Sequence, residues 1–458
     1  MIVYTYVGDG VTPECGNCAK LQLRCEQPTV DYRFLIHTNN ANNAKGYSPS
    51  SVASPRREQA LFPQSRGDPS GSTALRLRQA ANLSRQSPRL SLEEPIIALI
   101  FSHYIKIIAP WYDLTDATNT FNDVVTARAL DFPILFRAII AMSSSHWFKT
   151  TGHAQEIAFA FYAACVEDLL QALANSSNFQ GEYLAAACLL QLYEILNEDD
   201  MPNPHCHLSG AYSFSTAVAI DFSTWDLSQA GFWNYMREEI TVGLASSRNR
   251  MVRIGKDFRQ LRDMMTSKGI GDDMRANLIT YILAEALNLY CAFEEYEDAE
   301  EQPERGDDLN TTWKRLSSDL EQWTENLPAT FQPYSTAPKP GNVFPSAWMQ
   351  RPWHVCALQY AAIAKILLIL SAPQDGFDGN RRREEEIQFL TTNVCGLAYT
   401  TGDLSAALNS FGPLIFCGQF LTMKHHRAAL ETMLNSYSQS TGYPINCRVK
   451  QLRDRWAR

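Results

Sequence analysis

Residues 132–147 read FPILFRAIIAMSSSHW, with Ile134, Leu135, Ala138, Ile139 and Met142 near a spacing of three to four. That is the period of one helix face, and it predicts a helix following Pro133. Upstream, Ser91-Leu92-Glu93-Glu94-Pro95 supplies a serine N-cap with acids in the first turn, ahead of the apolar run IIALIFSHYIKII. That helix is expected to end before Pro110. Downstream, stretches rich in Ala and Leu occupy 153–177, 180–197, 229–249, 274–297, 308–326, 346–372, 382–406 and 411–438. They are longer than strands, and extended runs of β-branched residues are scarce. From Glu93 onward the expectation is an all-α fold.

Composition bounds this reading. A chain of 458 residues exceeds the size at which one core usually keeps growing, so more than one unit is expected. Apolar residues at 45% and charged residues at 19% exclude wholesale disorder. A net charge of −9 argues against a chain that coats nucleic acid along its length, and leaves room for a local basic segment. The start, MIVYTYV, lacks a basic n-region and makes a poor signal peptide. The nearest approach to a membrane span, Cys356 to Ala372, carries Lys365 near its centre. A charge there costs about 2.5–3.5 kcal/mol in a bilayer, so a core helix with a snorkelling lysine is expected, and no membrane partner. No fixed repeat of solenoid period is present. The proline-rich Gln332 to Pro345 is the candidate boundary between two helical subdomains.

Residues 30–92 contain NNANNAKGYSPSSVASPRREQ and QSRGDPSGS and show no apolar period. A disordered linker is expected there. From Thr38 to Leu92, eight basic residues (Lys45, Arg56, Arg57, Arg66, Arg76, Arg78, Arg85 and Arg89) face two acids (Glu58 and Asp68), a local charge of +6. A solvated linker accounts for that bias; a tail that contacts phosphates is the sharper alternative.

Of eleven cysteines, eight are scattered singly, most within apolar helical stretches, as buried thiols in a reducing compartment would be. Cys15, Cys18 and Cys25 instead crowd together as Cys-x2-Cys-x6-Cys. A Cys-x2-Cys turn presents two thiolates to one tetrahedral metal, and the intervening AKLQLR helix would return the third to it. Three thiolates leave one position on a single zinc ion open.

The run Gly8 to Cys25, GDGVTPECGNCAKLQLRC, resembles the second half of the fungal six-cysteine binuclear zinc cluster. Pro13 stands where that family's loop has a proline. The resemblance implies that Cys15, Cys18 and Cys25 are the fourth to sixth cysteines of a cluster that holds two zinc ions when intact. Lys20 and Arg24 are then the DNA-contacting candidates, on phosphates. The first half, with its basic recognition helix, belongs immediately upstream of Gly8, where the chain reads MIVYTYV. The expectation is a reading frame started too late; the alternative is a truncated protein that regulates without direct specific DNA binding.

A second resemblance lies downstream. Tyr104 to Phe121 (YIKIIAPWYDLTDATNTF), Phe132 to Trp147, Glu182 to Leu196 (EYLAAACLLQLYEIL) and Gly231 to Leu244 (GFWNYMREEITVGL) look like the regulatory domain that follows the zinc cluster in fungal transcription factors. The resemblance implies a nuclear transcription regulator of the RNA polymerase II type, not an enzyme. Its partners would be promoter DNA with CGG-type half-sites, a second protomer, the transcription machinery and a small-molecule effector. Residues 30–92 show no sustained heptad for a dimerising coiled coil. The organisation expected is a partial zinc-cluster segment at 1–29, a disordered basic linker at 30–92 and a large helical regulatory domain at 93–458. The rival is a regulatory cofactor that acts through the helical domain alone.

The remaining motifs read more plainly. His205-Cys206-His207 has the residue types of a metal site, yet in a loop without an accompanying carboxylate motif it reads as a plain loop. His425-His426 reads as a solvated helix face. Glu238 and Glu239 diverge by about 100° on a helix and do not form a catalytic pair. Arg381 to Glu386, RRREEE, reads as pairing at an exposed helix start. Trp111, Trp147, Trp233 and Trp353 read as core. No dinucleotide fingerprint, P-loop, nucleophile elbow or zinc-protease motif is present.

Overall fold

The computed structural model describes residues 69–175, 179–198, 206–218, 220–246, 251–254, 259–265, 267, 269–297, 303–372 and 377–457. The fold is all-α. Among the described residues the one β feature is an isolated antiparallel bridge between Ser335 and Trp348.

The first helices are α1 (Pro69–Arg85), α2 (Pro88–Ser91), α3 (Pro95–His103), α4 (Ala109–Tyr112), α5 (Thr126–Ala129), α6 (Pro133–Thr151) and α7 (Gln155–Asn175). Then come α8 (Gly181–Leu196), α9 (Cys206–Ala217), α10 (Leu227–Ala245), α11 (Arg259–Met265), α12 (Asp272–Glu297) and α13 (Pro303–Glu325). The chain closes with α14 (Pro352–Leu370), α15 (Phe377–Thr400), α16 (Leu404–Asn409), α17 (Phe411–Gly418), α18 (Lys424–Thr441) and α19 (Asn446–Trp456).

The helices stack in sequence. α1 packs on α7, α7 on α6, α6 on α8, and α8 on α9 and α10. α10 continues the stack onto α12 and α17, and α12 carries α13 and α14, with α15 outside α14. The two central helices are buried nearly all round, as interior helices are. Every residue from Leu184 to Leu196 in α8 is buried, as are Phe232, Trp233, Tyr235, Met236 and Ile240 in α10. Each large apolar side chain among them, such as Leu184, Leu189 or Phe232, contributes about 1.5–3 kcal/mol on leaving water. Asp226 caps α10 by accepting from the Gln229 backbone N–H at 2.8 Å. α6 ends on Gly152 with φ +79°, the left-handed stop that glycine adopts without strain.

Several expectations are corrected. The segment 69–92, expected as disordered linker, is helical: Ala80 and Leu83 of α1 are buried in the main core, against α7. Its apolar positions are few and polar residues separate them, so the period was weak. Ser91 does not cap the helix that follows. It ends α2, buried, and its hydroxyl donates to the Leu83 carbonyl at 2.9 Å; Glu94 holds the N-cap position, with Pro95 beginning α3. Pro110 does not stop the helix either. A π-helical turn at Tyr104–Ile108 widens the spiral, and the chain runs on through Pro110 into α4. The stretch 411–438 is broken between α17 and α18.

The proline-rich segment 332–345 is not a boundary between subdomains. Helices on either side of it, α12 and α14, pack directly together, and one contiguous core runs from Ala80 to Cys417. A smaller cluster around Phe411, Leu414, Leu430 and Leu434 secures α18 and α19. Pro352–Leu370 is among four described helices long and apolar enough to cross a membrane, yet 67% of its apolar window is buried inside the protein, with Lys365 exposed. Cys165, Cys188, Cys291, Cys356, Cys395 and Cys417 are buried free thiols, as their apolar settings imply.

Candidate functional site

The sequence-derived site residues Cys15, Cys18, Cys25, Lys20 and Arg24 lie outside the described residues, as do the segment 1–29 and most of the linker. Within the helical body lies a groove of about 840 Å³. That is within the range of small-molecule sites.

Helix periodicity builds it. On α13, Ser317, Leu320, Glu321, Thr324 and Glu325 share one face. On α14, Leu358, Ala361, Ala362, Lys365 and Leu368 do the same, and α15 adds Leu390, Asn393 and Leu397. Three helices thus turn one face each toward a common space. The space exists because Ala361 and Ala362 stop at a methyl group where larger side chains would fill it. Trp313 of α13 donates its indole N–H to the Leu368 carbonyl at 2.8 Å, and Gln359 of α14 reaches the Val394 carbonyl of α15 at 3.2 Å. These bonds hold the three walls together.

The fourth wall is the loop 333–349, which contributes Pro333, Thr336, Pro345, Ser346, Ala347 and Met349. Its ends are tied by Tyr334 N–H to Trp348 O (3.0 Å) and Trp348 N–H to Ser335 O (2.9 Å). Lys339 fastens its middle. The ammonium donates to the Tyr399 carbonyl at 2.7 Å and to the Thr400 carbonyl at 3.4 Å, at the carbonyl end of α15. Burial pulls that ammonium below the ordinary lysine range. The Tyr399 hydroxyl donates to the Gly341 carbonyl at 3.1 Å, and the Ala347 N–H to the Thr400 hydroxyl at 3.3 Å. The proline-rich sequence is therefore a pinned wall. The lining is mainly apolar, with Lys365 on one side and Glu321 and Glu325 on another. It suits a ligand with an apolar body and polar groups at the rim.

A second feature is a buried polar network at the centre. Arg237 of α10 donates to the Thr115 hydroxyl, to Asn234 Oδ1 at 2.7 Å and to the Tyr112 carbonyl at 3.4 Å. Thr115 in turn donates to Asn277 Oδ1 of α12 at 2.7 Å. Glu238 next to it turns toward a small cavity lined by Trp111, Tyr112 and Tyr443, where burial raises its carboxyl well above the usual range. Glu239 points elsewhere and accepts from Arg253 at 2.9 Å. The two glutamates diverge, as expected of neighbours on a helix. Arg381 pairs with Glu385 at 3.7 Å on an exposed helix start. His205 lies outside the described residues, whereas Cys206 and His207 open α9 instead of sitting in a plain loop.

Sequence reasoning missed the groove. The signal was present as faces of mixed character, such as Leu358, Ala361, Ala362 and Lys365, which neither a core face nor a solvent face requires. What a single sequence withholds is that three such faces converge.

Comparison with known proteins places these helices. The chain is 23% identical over 167 residues to the transcription activator AMTR1 of Alternaria alternata, a match covering 32% of this chain and 22% of that protein. The alignment thus spans about a fifth of that relative's length. No solved structure matches. The model of the fungal specific transcription factor domain matches residues 99–457, which take in the central network and every wall of the groove. By that match, over most of its length, the chain belongs to the fungal specific transcription factor domain family.

Proposed function

We propose that this chain is a nuclear transcription regulator whose helical domain takes a small, largely apolar effector into the 840 Å³ groove between α13, α14 and α15. Family membership over residues 99–457 carries the regulatory part of this reading. The groove carries the effector part, because three helix faces and a pinned loop enclose a space that core packing leaves unfilled. The N-terminal segment supplies the DNA contact. Cys15, Cys18 and Cys25 would hold zinc, two ions when a full cluster is completed, and Lys20 and Arg24 would face phosphates. Promoter DNA with CGG-type half-sites, a second protomer and the RNA polymerase II machinery are the partners this reading assigns.

A gel shift of the full chain with a CGG half-site duplex, followed across salt concentration, tests the DNA contact. A specific shift lost in Cys18→Ala supports it. Zinc-free protein with no specific shift favours the rival, a regulator acting only through its helical domain.

A further inference from the structure

Away from the groove, three metal-binding side chains of three chemical types meet where α8 faces the start of α9. Glu194 is fully buried near the end of α8, while Cys206 and His207 are the first two residues of α9. The Cys206 thiol donates to Glu194 Oε1 at 2.6 Å, and the His207 backbone N–H donates to Oε2 at 3.0 Å. His207 Nε2 lies 3.6 Å from Glu194 Oε1 and 3.1 Å from the Tyr162 hydroxyl. The carboxylate oxygen, the sulfur and the imidazole nitrogen all fall within 4.8 Å of one another.

We propose that Glu194, Cys206 and His207 form a zinc-class metal site that staples α9 to α8. Tetrahedral zinc with bonds of about 2.0–2.3 Å sets neighbouring ligand atoms roughly 3.5 Å apart. The imidazole and carboxylate already stand at that spacing. The sulfur must draw back by about 1 Å, which it is free to do as the exposed first side chain of its helix. On binding, the thiol proton leaves to solvent, the S–H···O hydrogen bond breaks, and a sulfur–metal bond takes its place. The His207 N–H keeps its bond to Oε2 and orients the carboxylate from behind, the outer support that metal ligands commonly have. On binding, Nε2 leaves its contact with the Tyr162 hydroxyl and turns its lone pair to the ion, with the ring proton on Nδ1, and Tyr162 stays positioned by its stack on Tyr193 (ring centroids 4.3 Å apart). The fourth position opens beside exposed Cys206 and takes water. One thiolate and one imidazole in three ligands select zinc-like ions over magnesium or calcium.

The N-terminal cysteines would bind the same class of ion under the proposed function, so the test removes them. The full chain carrying Cys15→Ala, Cys18→Ala and Cys25→Ala is titrated with Co²⁺ as a spectroscopic substitute for zinc. The proposal expects one equivalent bound with a sulfur-to-cobalt charge-transfer band, and displacement by Zn²⁺. Adding Cys206→Ala abolishes the band, and adding Glu194→Gln weakens binding at least about tenfold. Because Cys206 is exposed, its replacement leaves the helical circular dichroism unchanged. Absence of the band in the triple variant, or its persistence after Cys206→Ala, overturns the proposal.

Discussion

Gly396 passes directly beneath the Pro345 carbonyl, so closely that a methyl group on Gly396 would collide with the Pro345 backbone. The contact sets the distance between α15 and the loop that walls the groove, and nothing flexible lies at the collision point. Gly396→Ala must push the loop outward against its ties through Lys339, Tyr399 and Thr400. The expected cost is about 1–3 kcal/mol, as for overpacking elsewhere. Chemical denaturation measures it, and an unchanged midpoint would show that the loop yields freely.

The groove itself is tested by filling it. Ala362 lies on the half-buried face of α14, lines the space and packs at the edge of the main core. Ala362→Trp is expected to occupy the cavity with little change in stability. Nile red, a neutral apolar fluorophore, should bind the wild-type chain with enhanced emission and lose at least about tenfold in affinity in the variant, roughly 1.4 kcal/mol. Equal binding by both proteins would place the dye elsewhere.

Arg237 ties α10 to α12 and to the segment Tyr112–Thr115 through buried partners. Replacing it with methionine keeps much of the volume and removes every donor. Thr115 and Asn234 would each lose their arginine contact inside the core. A loss of about 3–5 kcal/mol is expected, read by urea unfolding. A loss under about 1 kcal/mol would mean that the network is dispensable.

Half-buried His103 and buried His146 pair Nε2 to Nδ1 at 2.7 Å, with Trp147 edge-on to the first ring and Trp111 to the second. Burial lowers His103 from 6.5 to about 4 and His146 from 6.5 to about 3, the latter also through its neighbour. The folded pair stays neutral while the unfolded histidines take protons below their ordinary value. The pair's stability is therefore complete above pH 6.5 and falls as pH drops from 6.5 toward about 4. The slope expected is about 1.4 kcal/mol per pH unit for each histidine held fully neutral. Denaturation midpoints across that window check it, and a joint His103→Gln and His146→Gln variant should flatten the dependence.

The helical class was legible because long apolar periods such as that of Ile134 to Met142 have no other physical outlet. Boundaries were less so. Ser91 has the chemistry of a cap, but prolines at 88 and 95 start two helices and leave it closing the first. Pro110 has the chemistry of a breaker, but the π turn ahead of it absorbs the ring. The proline-rich wall read as a separator because local composition carries no sign of the long-range ties to Tyr399 and Thr400. Cys206 and His207 read as a loop for the same reason: their carboxylate partner lies twelve residues back, on another helix.

The proposed function requires the helical domain, which the family match covers over residues 99–457, to regulate through its groove. The most direct measurement fuses the full chain to an unrelated DNA-binding module and reads transcription from a reporter bearing that module's site. Output is predicted to differ several-fold from the module alone, with Ala362→Trp shifting the level at equal protein abundance. Output identical to the module alone, for both the wild-type chain and the variant, would contradict the account.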